Sequence, residues 1–181
     1  MAAHNSGWKD AKKAFLWRHT LAAKARRYPE QLRTFGEGLT MTIYKGSCHC
    51  GAVTVELETN TDPAKIEIRQ CQCSFCRAHD AMSASDRAGS IRYIEHQPGA
   101  INHYQFGTNS CKFILCQRCG IYLGATMEDK ETEGYATTQI KHYADSALFT
   151  KPPRQAHYDD EDLELRLERR RRTWTPIALR T

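Results

Sequence analysis

The sequence lacks the features that mark several large classes of protein. No run in its 181 residues approaches the roughly 18 apolar residues of a membrane-spanning helix, and nothing resembles a secretory signal. Glycine and proline are few, at 11 and 6 residues, which excludes a fibrous chain. No Ser-His-Asp, phosphate-loop or dinucleotide motif is visible. We therefore expect one ordinary globular domain with an appendage, located in the cytoplasm and not bound to a membrane.

Excess positive charge is confined to the N-terminal segment. Residues 1–40 contain 8 Lys and Arg against 3 Asp and Glu, whereas residues 41–181 contain 18 of each sign. A neutral body exerts no general attraction on nucleic acid or anionic lipid. We therefore expect neither as a partner.

Residues 1–40 are predicted to form a basic helical extension. Helix-forming residues without Gly or Pro fill positions 8–28, Pro29 ends the helix, and Gly36 and Gly38 make a flexible joint. We interpret the segment as a loosely docked arm or as sequence upstream of the true start. A transit peptide is less favoured because acidic residues are present and only one Ser occurs, and a nucleic-acid-binding arm is favoured least.

From residue 41 onward the hydrophobic periodicity changes to two. Apolar and polar residues alternate in short runs separated by turn residues, which is typical of antiparallel sheets. The runs lie at 53–57, 66–68, 91–94, 101–106, 111–115, 121–123 and 135–140. The pattern predicts a mainly β domain over residues 41–155.

Residues 156–181 are predicted to form a C-terminal helix and a tail packed on the domain. Asp159 and Asp160 can cap this helix, and the run Arg169–Arg172 falls in its last turns, where cations complement the helix dipole. We interpret the arginines as a solvated helix end balanced by the preceding acidic run, in preference to a phosphate-binding patch. Trp174 is expected to hold the tail against the body.

The eight cysteines carry the clearest chemical signal. Two pairs have the form of a zinc knuckle, a tight turn with a Cys at each end and a Gly just after it. The pairs are Cys48 with Cys50 and Cys116 with Cys119. Their four thiolates can close one tetrahedral zinc site, which would be structural, and His49 is interpreted as a bystander. Disulfides are excluded by the close spacing and by the lack of a secretory context.

A triple of cysteines, Cys71, Cys73 and Cys76, supplies three further ligands. Zinc held by three protein groups keeps one position open, as catalytic sites do. Cys111 could close this site, although on a predicted strand it shares a face with Phe113 and is more typical of a buried apolar residue. Iron–sulfur binding is the alternative, but a split into four and three thiolates suits single tetrahedral ions better.

These motifs resemble those of the glutathione-dependent formaldehyde-activating enzyme family, which also includes centromere protein V. The matching segments are 46–53, 71–77 and 116–120, within a similarity that covers about residues 42–150. The resemblance implies a zinc-stabilised β "tent" of short antiparallel strands that binds two zinc ions. It also implies a structural zinc on the outer pairs and a functional zinc on the triple, so that Cys71, Cys73 and Cys76 inherit the catalytic role.

The resemblance further implies a carbon–sulfur lyase that reversibly joins glutathione to formaldehyde. A small thiol and a small aldehyde would be its partners, and zinc would lower the pKa of the bound thiol. His79 or Asp86 would serve as a proton shuttle, unless both are ordinary surface residues. Two other functions stay open: a non-catalytic thiol-binding or zinc-scaffold protein, and a chromatin-type interaction module, against which the neutral body argues.

Overall fold

The computed structural model describes residues 33–35 and 39–178, which form two β-sheets and two short α-helices. The prediction of a mainly β domain is therefore confirmed. The predicted helix at 8–28 and the joint at Gly36 and Gly38 lie outside the described residues. None of the described helices is long and apolar enough to cross a membrane.

The first sheet is antiparallel and has the strand order β1-β2-β3-β6. Its strands are β1 (Arg33–Phe35), β2 (Leu39–Ser47), β3 (Val53–Thr59) and β6 (Ser90–Glu95). Alternate residues of β3 are buried, with Val53, Val55 and Leu57 fully so, as the period of two predicts. Pairing of β1 with β2 begins before residue 41, inside the segment predicted as a helical extension; the division into domains stays a prediction.

The second sheet has the order β11-β4-β5-β10-β9-β8-β7, and β12 also pairs with β10. Its strands are β4 (Ile68–Cys71), β5 (Ser83–Ala84), β7 (Ile101–Tyr104), β8 (Lys112–Cys116), β9 (Tyr122–Met127), β10 (Tyr135–Gln139), β11 (Arg154–Ala156) and β12 (Thr175–Pro176). All pairs are antiparallel except β11 with β4. Strand β10 is buried along its whole length and has hydrogen-bonded partners on both edges.

Helix α1 (Ser74–Ala78) follows β4, and helix α2 (Leu163–Thr173) precedes β12. The side chain of Asp162 caps α2 by accepting a hydrogen bond from Leu165 N at 2.9 Å. The predicted caps Asp159 and Asp160 are wrong, because both lie in a turn that precedes the helix. Trp174 is buried directly after α2, as expected.

The main hydrophobic core combines residues of both sheets. Leu57 and Ile91 of the first sheet join Ile114 and Leu123 of the second in one buried cluster. A smaller cluster includes Trp174 and the partly buried Leu167 of α2. Apolar burial, the main stabilising force in folding, therefore joins the two sheets and anchors the C-terminal helix.

Candidate metal centres and the adjoining cavity

Two hairpin tips meet at the first candidate metal centre, here called the four-cysteine group. Cys48 and Cys50 lie between β2 and β3, while Cys116 ends β8 and Cys119 lies in the turn between β8 and β9. All four sulfurs lie within 4.8 Å of one another, with Cys50 Sγ 3.7 Å from Cys48 Sγ and 3.6 Å from Cys116 Sγ. The structure thus brings together the four residues that the two knuckles predicted, and they can hold one metal ion.

The two knuckles have the same backbone design. In each, the amide of the first Cys donates to the carbonyl of the residue five positions later, at 2.9 Å. Gly51 and Gly120 close the turns at φ of 75° and 73°, a region that other residues rarely adopt. The exposed His49 lies on the first turn and is not one of the grouped ligands.

Backbone amides also donate hydrogen bonds to sulfur atoms at the knuckles. Val53 N donates to Cys48 Sγ at 3.3 Å. Burial raises the pKa of the Cys119 thiol, but amide groups of Ile121 and Cys50 and neighbouring thiols outweigh it and lower that pKa to about 6. Amide donors of this kind favour the charged form that a metal requires.

The three-cysteine group, Cys71, Cys73 and Cys76, is built from a single short stretch of chain. Cys71 ends β4, Cys73 caps α1, and Cys76 lies on α1. The Cys73 sulfur accepts a hydrogen bond from Cys76 N at 3.4 Å, and the three sulfurs lie within 4.8 Å of one another. The strand end and the capped helix turn therefore bring three thiols close to one point.

The three thiols of this group interact through hydrogen bonds. Hydrogen bonds from Cys71 and then Cys76 hold the pKa of Cys73 far below its usual value. Hydrogen bonds with Cys71 and Cys73 raise the pKa of Cys76. The hydrogen bond with Cys73 also raises the pKa of Cys71. A soft metal ion can displace the protons from such a group of neighbouring thiols.

Cys111 is buried, as predicted, and packs with Met127 and Trp174. It does not belong to the three sulfurs that lie within 4.8 Å of one another. Burial raises the pKa of the Cys111 thiol, and the nearby Arg170 opposes this. Cys111 therefore borders the three-cysteine group without joining it.

Neither proposed proton shuttle is among the described residues that line the cavity beside the three-cysteine group. His79 is exposed and packs on Phe75, with ring centroids 4.4 Å apart. Asp86 accepts hydrogen bonds from Thr59 Oγ1 and, at 3.0 Å, from Ala88 N. Asp86 therefore organises a loop.

The cavity has a volume of about 130 Å³ and an aromatic and basic lining. The three-cysteine group forms part of its wall. The aromatic lining residues are Phe106, Phe113, Tyr122, Tyr158 and Trp174. The basic lining residues are Arg69, Arg166, Arg169 and Arg170. Sequence analysis missed this lining, and its only signal was the arginine run in the C-terminal helix.

The interpretation of that run as a solvated helix end is wrong for Arg169 and Arg170. Arg170 is only 6% exposed and donates to the carbonyl and hydroxyl oxygens of Ser110 at 2.9 and 2.7 Å. Arg169 makes two hydrogen bonds to Glu161, at 2.6 and 2.9 Å, and stacks on Tyr158. The acidic balance is confirmed for Arg169, but α2 packs this face against the cavity.

Comparison with known proteins assigns the family. A model of the glutathione-dependent formaldehyde-activating enzyme family matches residues 43–157, more than half of the chain. The chain belongs to this family. A crystal structure of a Rhodobacter sphaeroides protein is 34% identical over 54% of this chain and 85% of that chain, with a TM-score of 0.43. The family connects the chain with glutathione and formaldehyde chemistry, as the resemblance implied, and its match ends before α2.

Proposed function

We propose that this protein is a zinc-dependent enzyme of the carbon–sulfur lyase type. It would bind a small thiol such as glutathione and promote its reversible addition to formaldehyde or another small aldehyde. One observation carries the proposal: the three-cysteine group lines a cavity with room for a ligand, whereas no member of the four-cysteine group is among the described lining residues.

The donor sets fit zinc at both groups. Four sulfurs would close a structural site, and three would leave a position free beside the cavity. Zinc bound to Cys71, Cys73 and Cys76 would lower the pKa of a thiol that reached the open position. Thiolate ligands need a reducing environment, so a cytoplasmic location is part of this proposal.

The aromatic wall would separate the reacting groups from bulk water. Phe106, Phe113 and Tyr122 lie beside the sulfurs in the cavity lining and would limit hydration of the aldehyde. In the reaction the thiol sulfur forms a bond to the carbonyl carbon, and the carbonyl π pair moves to oxygen. The thiol proton ends on that oxygen, so atoms and electrons balance without an oxidant or reductant.

Calorimetric titration of the zinc-loaded protein with glutathione tests the proposal. Because thiolate binding releases a proton, affinity should rise about tenfold per pH unit and level off above the thiol pKa of about 8.5. Cys76→Ser should weaken binding, since Cys76 is one of the three grouped sulfurs. Cys111→Ser is the matched control and should bind normally; if it alone bound thiol, Cys111 would be a fourth ligand and the native site closed.

A non-catalytic thiol-binding protein is the second candidate. The described residues that line the cavity include no histidine, and their one carboxylate, Asp159, is exposed to solvent. A buried general base is therefore lacking among them. Exchange NMR on glutathione and formaldehyde would separate the two functions. An enzyme accelerates interconversion with the hydroxymethyl adduct, and Cys76→Ser abolishes the acceleration; a binding protein leaves the rate unchanged.

A further inference from the structure

We propose that Arg69 and Arg170 form a carboxylate-binding wall in the cavity, so that the preferred thiol carries a carboxylate a few bonds from its sulfur. This inference rests on the proposed function, because it describes the other end of the ligand that the three-cysteine group would hold. The predicted substrate class is a short mercaptocarboxylate. A larger thiol would present an equivalent carboxylate beside its sulfur.

Both arginines are buried without an acidic partner. Arg69 is 7% exposed and donates to Ser85 Oγ at 2.7 Å, and Arg170 is 6% exposed and donates to Ser110. Neither forms an ion pair within the part of the chain that the structure describes. A buried charge without a counter-charge is costly, and an anion in the cavity would offset that cost at both residues.

Nearby carboxylates do not supply this counter-charge. Glu67, which acts electrostatically on Arg69, is paired with Arg154 at 2.6 Å. Glu161 is engaged by Arg169. Asp159 lines the cavity but is exposed to solvent. Arg170 also lies beside the Cys111 thiol, whose pKa is raised by burial, and its Cζ atom is 5.0 Å from the centre of the Trp174 ring. Neither neighbour carries a carboxylate, so the positive charge stays in place.

Hydrogen-bonding capacity is also left over at this wall. Arg170 uses Nη1 for Ser110, while its Nε atom is buried and has no acceptor. Nε of Arg166, another lining residue, is also buried without a hydrogen-bond acceptor, and Glu161 Oε2 lies 4.0 Å from it. A guanidinium with free N–H groups recognises the two oxygens of a carboxylate in a paired geometry. The unused donors therefore match a planar oxyanion.

The size of the cavity limits the ligand. Its volume of about 130 Å³ is close to the roughly 150 Å³ of an engineered cavity that holds benzene, a molecule of about six heavy atoms. 3-Mercaptopropionate is of that size and carries a thiol and a carboxylate at opposite ends. Glutathione is much larger, so the cavity would enclose only the part around its thiol.

Arg170 of α2 also lies in a part of the chain that the family match does not cover. The match ends at residue 157, and Arg170 follows it, whereas Arg69 lies within it. A wall completed by α2 would therefore set the specificity of this protein within a site whose cysteines lie inside the match.

Titration of the zinc-loaded protein with three short thiols tests the proposal. We expect 3-mercaptopropionate to bind at least about tenfold more tightly than neutral 3-mercapto-1-propanol, and cationic cysteamine to bind most weakly. Arg170→Gln and Arg69→Gln should remove the preference for the carboxylate, measured in each variant as the ratio of its affinities for the acid and the alcohol. Arg171→Gln is the matched control, because Arg171 is half-exposed and paired with Asp129.

Melting curves and zinc content show which variants are folded. If a glutamine variant does not fold, Arg170→Lys keeps the charge but loses the paired donors and should retain part of the preference. Equal binding of the acid and the alcohol to the wild-type protein would overturn the carboxylate wall while leaving the proposed function intact. Failure of all three short thiols to bind would also overturn the carboxylate wall, and failure of glutathione to bind as well would overturn the proposed function itself.

Discussion

The two cysteine groups differ in how the chain assembles them. The four-cysteine group joins residues as far apart as Cys50 and Cys116, 66 positions along the chain, and links hairpins of two different sheets. The three-cysteine group needs only a strand end and one capped helix turn within residues 71–76. Closing a long loop costs more chain entropy than closing a short one. A metal on the first group would therefore stabilise the whole domain, and one on the second only a local turn.

The surroundings of the two groups differ in the same direction. The four-cysteine group lies in two turns fixed by Gly51 and Gly120, and both turns are held by backbone hydrogen bonds. The three-cysteine group borders an aromatic and basic cavity. A site completed by four thiolates suits a structural ion, and three thiolates beside a cavity suit a ligand-binding one. Three predictions test this division, beginning with the largest expected effect.

Replacing Cys119 with Ser should have the largest effect, because it breaks the group that joins the two sheets. Metal binding at such a site contributes directly to folding. We expect a loss of more than about 4 kcal/mol in the free energy of unfolding, enough to leave much of the protein unfolded or insoluble. Chemical denaturation followed by circular dichroism measures this loss.

Cys73→Ser is the matched control, because it removes one sulfur from the local group. The variant should remain folded and contain about one zinc per chain, against about two in the wild-type protein. Elemental analysis of both proteins checks the count. An equal loss of fold in the Cys119 and Cys73 variants would contradict the division into a structural and a functional group.

The strands were predictable because a strand with one buried face has alternating apolar and polar residues in its sequence. Val53, Val55 and Leu57 alternate with polar residues, and the structure buries them on one face. The cysteine groups were predictable for a related reason, since a tight turn brings thiols that are close in sequence to one point. The helix cap was misplaced because several acidic residues, Asp159 to Asp162, offer equivalent capping groups in sequence.

The cavity could not be predicted in the same way. Its wall combines Arg69 of β4 with Arg170 of α2, which are distant in sequence and lie in different elements. An arginine run at a helix end is usually solvated, and periodicity does not show that one face packs inward. Arg170 was misinterpreted because its hydrogen-bond partner, Ser110, belongs to a loop with no sequence signal.

Substituting the turn glycines should have an intermediate effect. A Cβ at Gly51 or Gly120 meets no atom within 4 Å, so Ala adds no clash and costs about 1–2 kcal/mol through the positive φ alone. Gly99→Ala is the matched control, with a φ of 74° and open space in a different turn. Gly99→Ala should lose only this amount in denaturation experiments. The two knuckle variants should lose at least as much and should also weaken zinc retention against a chelator. Equal zinc retention in all three would show that the knuckle backbone does not position the thiols.

Removing residues 1–32 should have the smallest effect. Every member of both cysteine groups lies between Cys48 and Cys119, and the cut leaves β1 and its pairing with β2 in place. The excess charge of the segment is the main property that would be lost. Because the cut leaves every described strand and both cysteine groups in place, we expect two zinc ions per chain and a melting temperature within about 2 °C of the full-length value. A cut at residue 40 removes β1 as well and should lower the melting temperature further while keeping both zinc ions. Loss of a zinc ion from the variant that lacks residues 1–32 would show that the N-terminal segment supports one of the two cysteine groups. That group would then depend on more of the chain than its own strands and turns.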